Sequence, residues 1–169
     1  GTDGKKREKG KMSLETVLAD EDWDYVSLQQ ASPFSGMYET YEASLPELIE
    51  YVKARLPKKT NLMLHQTWAY ASTSRHSGFK NYNCNQLTMY QAIADAVKKA
   101  VKANKIKIVI PSGTAIQNAR TSFIGDHLNR DGYHLDVKIG RYTAACTWFE
   151  RIFKHSVVGN PYAPEGLDE

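Results

Sequence analysis

The chain has 169 residues, of which 41% are hydrophobic and 24% are charged, and its formal net charge is +3. This length and composition predict one globular domain with a sizeable core. The small net charge argues against a nucleic-acid partner, and no apolar run is long enough to span a membrane. Two cysteines, Cys84 and Cys146, are too few for a disulfide framework or a zinc site. The histidines do not have a spacing typical of a metal site, so we predict no metal, and we expect no cofactor.

The two ends of the chain differ from its middle. Residues 1–12 carry the basic run KKREKGK, so we predict that they form a flexible, solvated segment. We predict that residues 156–169 form a tail. The first residues lack the apolar stretch of a signal peptide, so they fit either the start of a mature domain or a piece of a longer chain. A single α/β domain is expected over residues 13–155.

Predicted strands and helices alternate in the first half of the chain. Ser13 is a plausible N-cap of a short helix, and the β-rich run DYVSL predicts a strand over residues 24–28. The pattern Ser-Leu-Pro-Glu that begins at Ser44 fits a capping box and predicts a helix over residues 44–56. The run NLMLHQ predicts a second strand over residues 61–66, which a long polar and aromatic loop follows.

The alternation continues in the second half. Apolar residues at helical spacing predict a long helix over residues 85–104, and IKIVIP predicts a third strand over residues 106–111. AIQNAR predicts a short helix over residues 115–120, and a final helix is expected over residues 136–154. Its predicted inward positions are Ile139, Tyr142, Ala145, Cys146 and Phe149.

Strands that alternate with helices predict a doubly wound α/β fold with a parallel sheet. In such sheets ligands bind beyond the carboxyl ends of the strands. The polar residues predicted at those ends are Gln29, Gln30, His65, Gln66 and Ser112. Three strands make a narrow sheet for so many helices, so we expect the sheet to be incomplete.

The run RDGYHLD holds the sharpest candidate for chemistry. Asp131 and His134 lie three residues apart, and Gly132 permits the tight turn that would bring their side chains together. A carboxylate beside a histidine fixes the ring tautomer and stabilises the imidazolium, as a general base requires. The alternative interpretation is a turn aspartate and a surface histidine that precede a helix.

Other candidates leave two interpretations open. His65, at a strand end, either binds a substrate or satisfies a buried backbone group. The aromatic residues of the long loop either form a platform for a sugar ring or roof the core; they are Trp68, Tyr70, Phe79 and Tyr82.

Ser112 is a weak candidate nucleophile. It follows a strand and precedes a helix, as the serine of a nucleophile elbow does. The pattern Gly-x-Ser-x-Gly is not met, because Ile110 and Thr114 occupy the two glycine positions.

Four blocks in order resemble a known superfamily: DWDYVSLQQAS, LMLHQTWAY, VIPSGTAIQNAR and RDGYHLD. Together they resemble a Bacteroidetes-type branch of the SGNH (GDSL-like) hydrolases, over about residues 14–153. The resemblance implies a flavodoxin-like three-layer α/β/α fold and the hydrolysis of esters, often acetyl groups on carbohydrates. It also implies a serine nucleophile, with His134 as its general base and Asp131 orienting the histidine.

The chain departs from the family pattern at the nucleophile. It contains neither Gly-Asp-Ser nor Gly-Asn-Ser, and its first predicted strand resembles the third strand of the family. We therefore expect roughly the amino-terminal third of the fold, with the serine, to lie on a missing segment. Gln29 or Gln30 stands where an amide would donate to an oxyanion. The candidates for substrate binding are His65, Gln66, Trp68, Gln117 and Asn118.

A missing central strand would leave an apolar sheet edge exposed, so we expect this polypeptide to need its amino-terminal segment or self-association. The resemblance implies an ester-bearing small molecule or carbohydrate as ligand, and export to the periplasm or cell surface. The competing hypothesis is a non-catalytic glycan-binding module with a degenerate SGNH fold. A third is a complete enzyme that uses Ser112.

Overall fold

Three short apolar runs form the sheet of the protein, which a computed structural model describes over residues 10 and 12–166. The strands are β1 (Tyr25–Leu28), β2 (Asn61–His65) and β3 (Ile108–Ile110), in the order β1-β2-β3. Both pairings are parallel, with Leu28 opposite Leu64 and His65 opposite Ile110. The predicted α/β fold with a parallel sheet is confirmed, and all three carboxyl ends lie at one edge of the sheet.

Within the described residues the α-helices are α1 (Leu14–Leu18), α2 (Tyr38–Lys53), α3 (Gln86–Ala103), α4 (Ser112–Ala119) and α5 (Ile139–Phe153). Short 3-10 helices occupy Ser32–Phe34 and Ser77–Tyr82. Ser13 caps α1 through its side-chain oxygen, as the sequence predicts, and the structure shows that Asn85 caps α3 in the same way. Most of the predicted segment 1–12 and the last three residues of the predicted tail lie outside the described residues.

The main core lies between the sheet and the pair α2 and α3. Residues of α3 that recur at helical spacing are buried there: Met89, Ile93, Ala96, Val97 and Ala100. Each large aliphatic side chain buried in this way contributes about 1.5–3 kcal/mol to folding. A second, smaller cluster joins α4, α5 and the loop between them; its buried members are Ile116, Leu128, Leu135 and Ala144.

The predicted start of α2 at Ser44 is wrong, because the helix begins at Tyr38. The Tyr41 side chain is buried and its hydroxyl donates to the Ser35 carbonyl, which stabilises the earlier turn. The Ser44 hydroxyl donates back to the Thr40 carbonyl at 3.0 Å instead of capping a new helix. Pro46 consequently lies inside the helix.

The outer face of α5 is apolar and exposed. Gly140 and Ala144 are the buried residues of this helix, whereas Ala145, Phe149 and Phe153 are exposed. The predicted inward positions of Ala145 and Phe149 are therefore wrong. Within the described residues β1 pairs on one side only, with β2. None of the described helices is both long enough and apolar enough to cross a membrane.

Candidate active site

Asp131 and His134 form a hydrogen-bonded pair on the loop between α4 and α5. Gly132 has a φ of +89°, which turns the chain tightly between them. Asp131 Oδ2 lies 2.7 Å from His134 Nδ1. Asp131 Oδ1 accepts the backbone N–H groups of Tyr133 at 3.2 Å and His134 at 2.8 Å. The loop therefore orients both oxygens of one carboxylate toward one histidine.

The electrostatics of the pair favour an ionised carboxylate. Desolvation opposes ionisation, but hydrogen bonds from the His134 ring and from the backbone N–H groups of His134 and Tyr133 lower the pKa of Asp131 to about 2. An ionised Asp131 only accepts, so Nδ1 of neutral His134 carries the proton and Nε2 is the basic nitrogen. The His134 side chain is 52% exposed, so a reactant can reach Nε2.

Arg120 holds the base of this loop, although its side chain is only 4% exposed. Its guanidinium donates to the Ala69 carbonyl at 3.0 Å and to Asn129 Oδ1 at 2.6 Å, and it lies 2.9 Å from Asp126 Oδ1. Arg130 N–H then donates to the His134 carbonyl at 3.0 Å. Sequence reasoning missed Arg120 as an organising residue, although it ends the block VIPSGTAIQNAR.

Trp68 holds the loop from the side of the sheet. Its indole N–H donates to the Tyr133 carbonyl at 2.8 Å, and the centroids of the Tyr133 and His134 rings lie 4.1 Å apart. The other aromatic residues proposed for a sugar platform are buried core residues, so the core interpretation holds for them: Tyr70, Phe79 and Tyr82.

A second histidine lies at the carboxyl ends of the three strands. His65 Nδ1 is 2.5 Å from Gln29 Oε1, and His65 Nε2 is 2.9 Å from Ser112 Oγ. These three residues follow or end β1, β2 and β3 respectively, so the parallel sheet brings them into one line. His65 is 8% exposed and Ser112 is fully buried, whereas Gln29 is exposed.

Burial gives this histidine a different chemistry from His134. Desolvation lowers the pKa of His65 to about 4, so its ring is neutral near neutral pH. A base of that strength accepts a proton poorly at pH 7. Because the Ser112 hydroxyl is also fully buried, an ester cannot reach it in this conformation. The geometry therefore argues against Ser112 as the nucleophile.

The buried His65 predicts a loss of stability in mild acid. Its ordinary pKa of 6.5 falls to about 4 on folding, so between these pH values the unfolded chain binds more protons. We expect the free energy of unfolding to fall by about 2 kcal/mol as the pH is lowered from 6.5 to 4. Urea unfolding at a series of pH values measures this free energy. His65→Asn should flatten its dependence on pH, and the exposed His155→Asn should not. The same pH dependence in the wild type and in both variants would show that His65 is not the group responsible.

The two glutamines after β1 are not equivalent. Gln30 Nε2 donates to Thr40 Oγ1 at 2.9 Å and Gln30 Oε1 accepts the Ala31 N–H at 2.8 Å, so its amide serves the local fold. Gln29 uses its oxygen toward His65, and no described residue accepts a hydrogen bond from its amide nitrogen. Of the two oxyanion candidates, Gln29 alone has a donor left for a ligand within the described chain.

The remaining predicted substrate-binding residues lie in different environments. Gln66 is buried and accepts from the Thr114 N–H at 3.1 Å and hydroxyl at 2.9 Å, which ties β2 to α4. Gln117 accepts from Arg120 at 3.0 Å, and Asn118 is exposed on α4. The structure gives Gln66 and Gln117 structural partners and brings neither against His134.

A polar cavity of about 500 Å³ lies beside Asp131, and His134 is not among its lining residues. Its polar lining consists of Ser72, Thr73, Arg75, Asp126, His127, Asn129, Arg130 and Asp131. Over residues 10 and 12–166, no group of three or more His, Cys, Asp or Glu side chains is arranged to hold a metal ion. The cavity is thus lined by hydrogen-bonding groups that suit a hydroxyl-rich ligand.

Comparisons with known proteins agree with this fold. A family model described as "Domain of unknown function (DUF4886)" matches residues 1–169. The crystal structure of a DUF4886 family protein from Bacteroides uniformis is 64% identical, with a TM-score of 0.94 over 98% of this chain. The chain spans 64% of the length of that relative. No protein of curated function matches the sequence.

More distant structures share the fold. A candidate SGNH hydrolase from Slackia heliotrinireducens has a TM-score of 0.62 and 23% identity, over 81% of this chain and 70% of its own. The acetylxylan esterase Axe2 from Geobacillus stearothermophilus has a TM-score of 0.55 and 17% identity, over 80% of this chain and 61% of its own. At these identities the likeness concerns the fold alone.

Proposed function

Because the chain belongs to the DUF4886 family and has the fold of SGNH hydrolases, we propose that it carries the acid–base half of an ester-hydrolase site. The observation that carries the proposal is the Asp131–His134 pair, with its 2.7 Å hydrogen bond and its accessible Nε2. A short, charge-assisted hydrogen bond to one ring nitrogen prepares the other to accept a proton.

The proposed reaction begins with a serine hydroxyl that attacks the ester carbonyl. His134 Nε2 takes the hydroxyl proton, and Asp131 stabilises the resulting imidazolium. The imidazolium then gives this proton to the leaving alcohol, which leaves an acyl-serine. A water molecule, deprotonated by Nε2, then attacks the acyl group. As the bond from the acyl carbon to the serine oxygen breaks, the imidazolium returns the proton to that oxygen, so the acid is released and the serine hydroxyl and neutral His134 are restored.

We propose that the serine lies on an amino-terminal segment beyond this sequence. Among the described residues, no hydroxyl group hydrogen-bonds to His134 Nε2. The described side of β1 opposite β2 has no strand partner, and the chain spans 64% of its Bacteroides uniformis relative, so both observations support an additional segment beside β1. A second copy of the chain is the alternative partner for that edge.

The proposed oxyanion donor is the Gln29 amide, because its nitrogen has no acceptor among the described residues. The proposed substrate is an acetyl ester of a carbohydrate. The polar cavity beside Asp131 supports this class, since its lining offers both donors and acceptors to sugar hydroxyls. The fold shared with Axe2, itself an acetylxylan esterase, supports the same class.

The test is hydrolysis of p-nitrophenyl acetate by two proteins, this chain and a longer polypeptide that adds the expected amino-terminal segment. We expect turnover by the longer protein and none by the short one, because only the former would carry the serine. Turnover by the short chain would contradict the split arrangement. If both are silent toward this ester and toward acetylated xylooligosaccharides but bind the sugars, the glycan-binding module is the correct function.

A further inference from the structure

His65 and Ser112 are the two buried members of the line that ends at the exposed Gln29, and neither has a part in the mechanism above. We propose that His65 and Ser112 are positioning residues that fix the Gln29 amide with its NH₂ group directed away from His65, toward the ester oxygen that becomes negatively charged. This inference rests on the proposed function, because it assigns a purpose to the amide of Gln29 in that reaction.

The direction of the hydrogen bonds follows from the groups involved. Gln29 Oε1 is only an acceptor, so His65 Nδ1 at 2.5 Å must carry the proton. Nε2 of the neutral ring is then an acceptor, and the Ser112 hydroxyl at 2.9 Å donates to it.

The planarity of the amide transmits this direction to the surface. The oxygen and nitrogen of a carboxamide lie on opposite sides of the same carbon, so an oxygen held by His65 directs the nitrogen the other way. If His65 carried its proton on Nε2 instead, the amide would have to turn and present its oxygen outward. An outward oxygen would repel the developing negative charge.

Packed rings and a backbone hydrogen bond support the line. The His65 ring packs against Trp148 of α5 at 5.1 Å between ring centroids and against Trp68 at 6.3 Å. Gly113 N–H donates to the Gln66 carbonyl at 3.0 Å, which joins the residues next to Ser112 and His65. An exposed glutamine is therefore held from beneath by buried groups, as a preorganised donor requires.

Trp68 also connects this line to the catalytic pair. Its ring contacts His65, while its indole N–H holds the Tyr133 carbonyl next to His134. Gln29 follows β1, the strand whose open side is the proposed location of the nucleophile segment. Trp68 thus links the support of the Gln29 amide to the loop that carries His134.

The test combines the tautomer of His65 with a double-mutant cycle. Long-range ¹H–¹⁵N spectra of this chain at pH 7 should show His65 protonated on Nδ1. In the longer polypeptide, Gln29→Ala and His65→Leu should each lower kcat on the order of 10²-fold with little change in KM. The double variant should be no slower than Gln29→Ala alone, because both changes remove the same donor. His65→Asn, whose amide keeps a donor toward Gln29, should retain kcat within about tenfold of wild type.

Three results would overturn the inference. They are an Nε2-protonated His65, losses in kcat that multiply in the double variant, and His65→Asn as slow as His65→Leu although both are folded at the assay temperature. If the wild-type longer polypeptide is active and the losses in kcat multiply in the double variant, this inference is wrong and the proposed function is unaffected. An inactive wild-type longer polypeptide removes the proposed function and this inference together.

Discussion

Asp131→Asn is expected to lower kcat for ester hydrolysis by the longer polypeptide about 10³- to 10⁴-fold. An amide at this position would present an N–H group to His134 Nδ1, which now donates to the carboxylate at 2.7 Å. The neutral ring would then carry its proton on Nε2 and could no longer accept one from the serine. KM should change little, because the substitution leaves the shape of the site intact.

A matched control separates this effect from a general loss of charge. Asp95 lies exposed on α3, and Asp95→Asn should leave kcat at the wild-type value. The loss in kcat of Asp131→Asn should be present even if its thermal unfolding curve is the same as that of Asp95→Asn. A reduction of less than about tenfold would mean that Asp131 does not orient the catalytic histidine.

Gly113→Ala is expected to destabilise the fold by about 3 kcal/mol or more. A Cβ atom at this position would lie 1.9 Å from the Thr67 carbonyl oxygen and 3.3 Å from the Trp68 Cα atom. Both contacts are backbone atoms, so no side-chain rotation relieves them. The clash would also move Trp68, and with it the contact to His65 and the hydrogen bond to Tyr133.

Urea unfolding of this chain at constant pH measures the effect. Gly10→Ala is the matched control, since a Cβ atom there meets nothing within 4 Å. Thermal unfolding gives a second measure, and for a domain of this size the Tm of Gly113→Ala is expected to fall by about 6 °C or more. If Gly113→Ala were as stable as the wild type, the Thr67 backbone after β2 would not lie as close to the start of α4 as the structure has it.

The sequence predicts the regular elements well where one local pattern dominates. The N-cap Ser13 of α1 follows from capping chemistry, and the strands within 24–28, 61–66 and 106–111 follow from the side-chain pattern. The prediction that α2 starts at Ser44 is wrong because the buried Tyr41 stabilises an earlier turn of this helix. The inward positions predicted for Ala145 and Phe149 are wrong because helical spacing alone does not say which face of α5 packs, and the buried face carries Gly140 and Ala144.

The same distinction applies to the candidate site. The Asp131–His134 pair is local in sequence, so a tight turn at a glycine was enough to predict that the side chains meet. The line of Gln29, His65 and Ser112 is not local, because it depends on where three parallel strands end relative to one another. Arg120 was missed for a similar reason, since only the folded chain brings its partners around it.

The central claim is that His134 activates a hydroxyl nucleophile for ester hydrolysis. The most direct measurement compares p-nitrophenyl acetate hydrolysis by the longer polypeptide with that of its His134→Ala and His155→Ala variants. We predict a fall in kcat on the order of 10³-fold for His134→Ala and no change for the exposed His155→Ala. An active longer polypeptide that keeps its rate without the His134 imidazole would contradict the account.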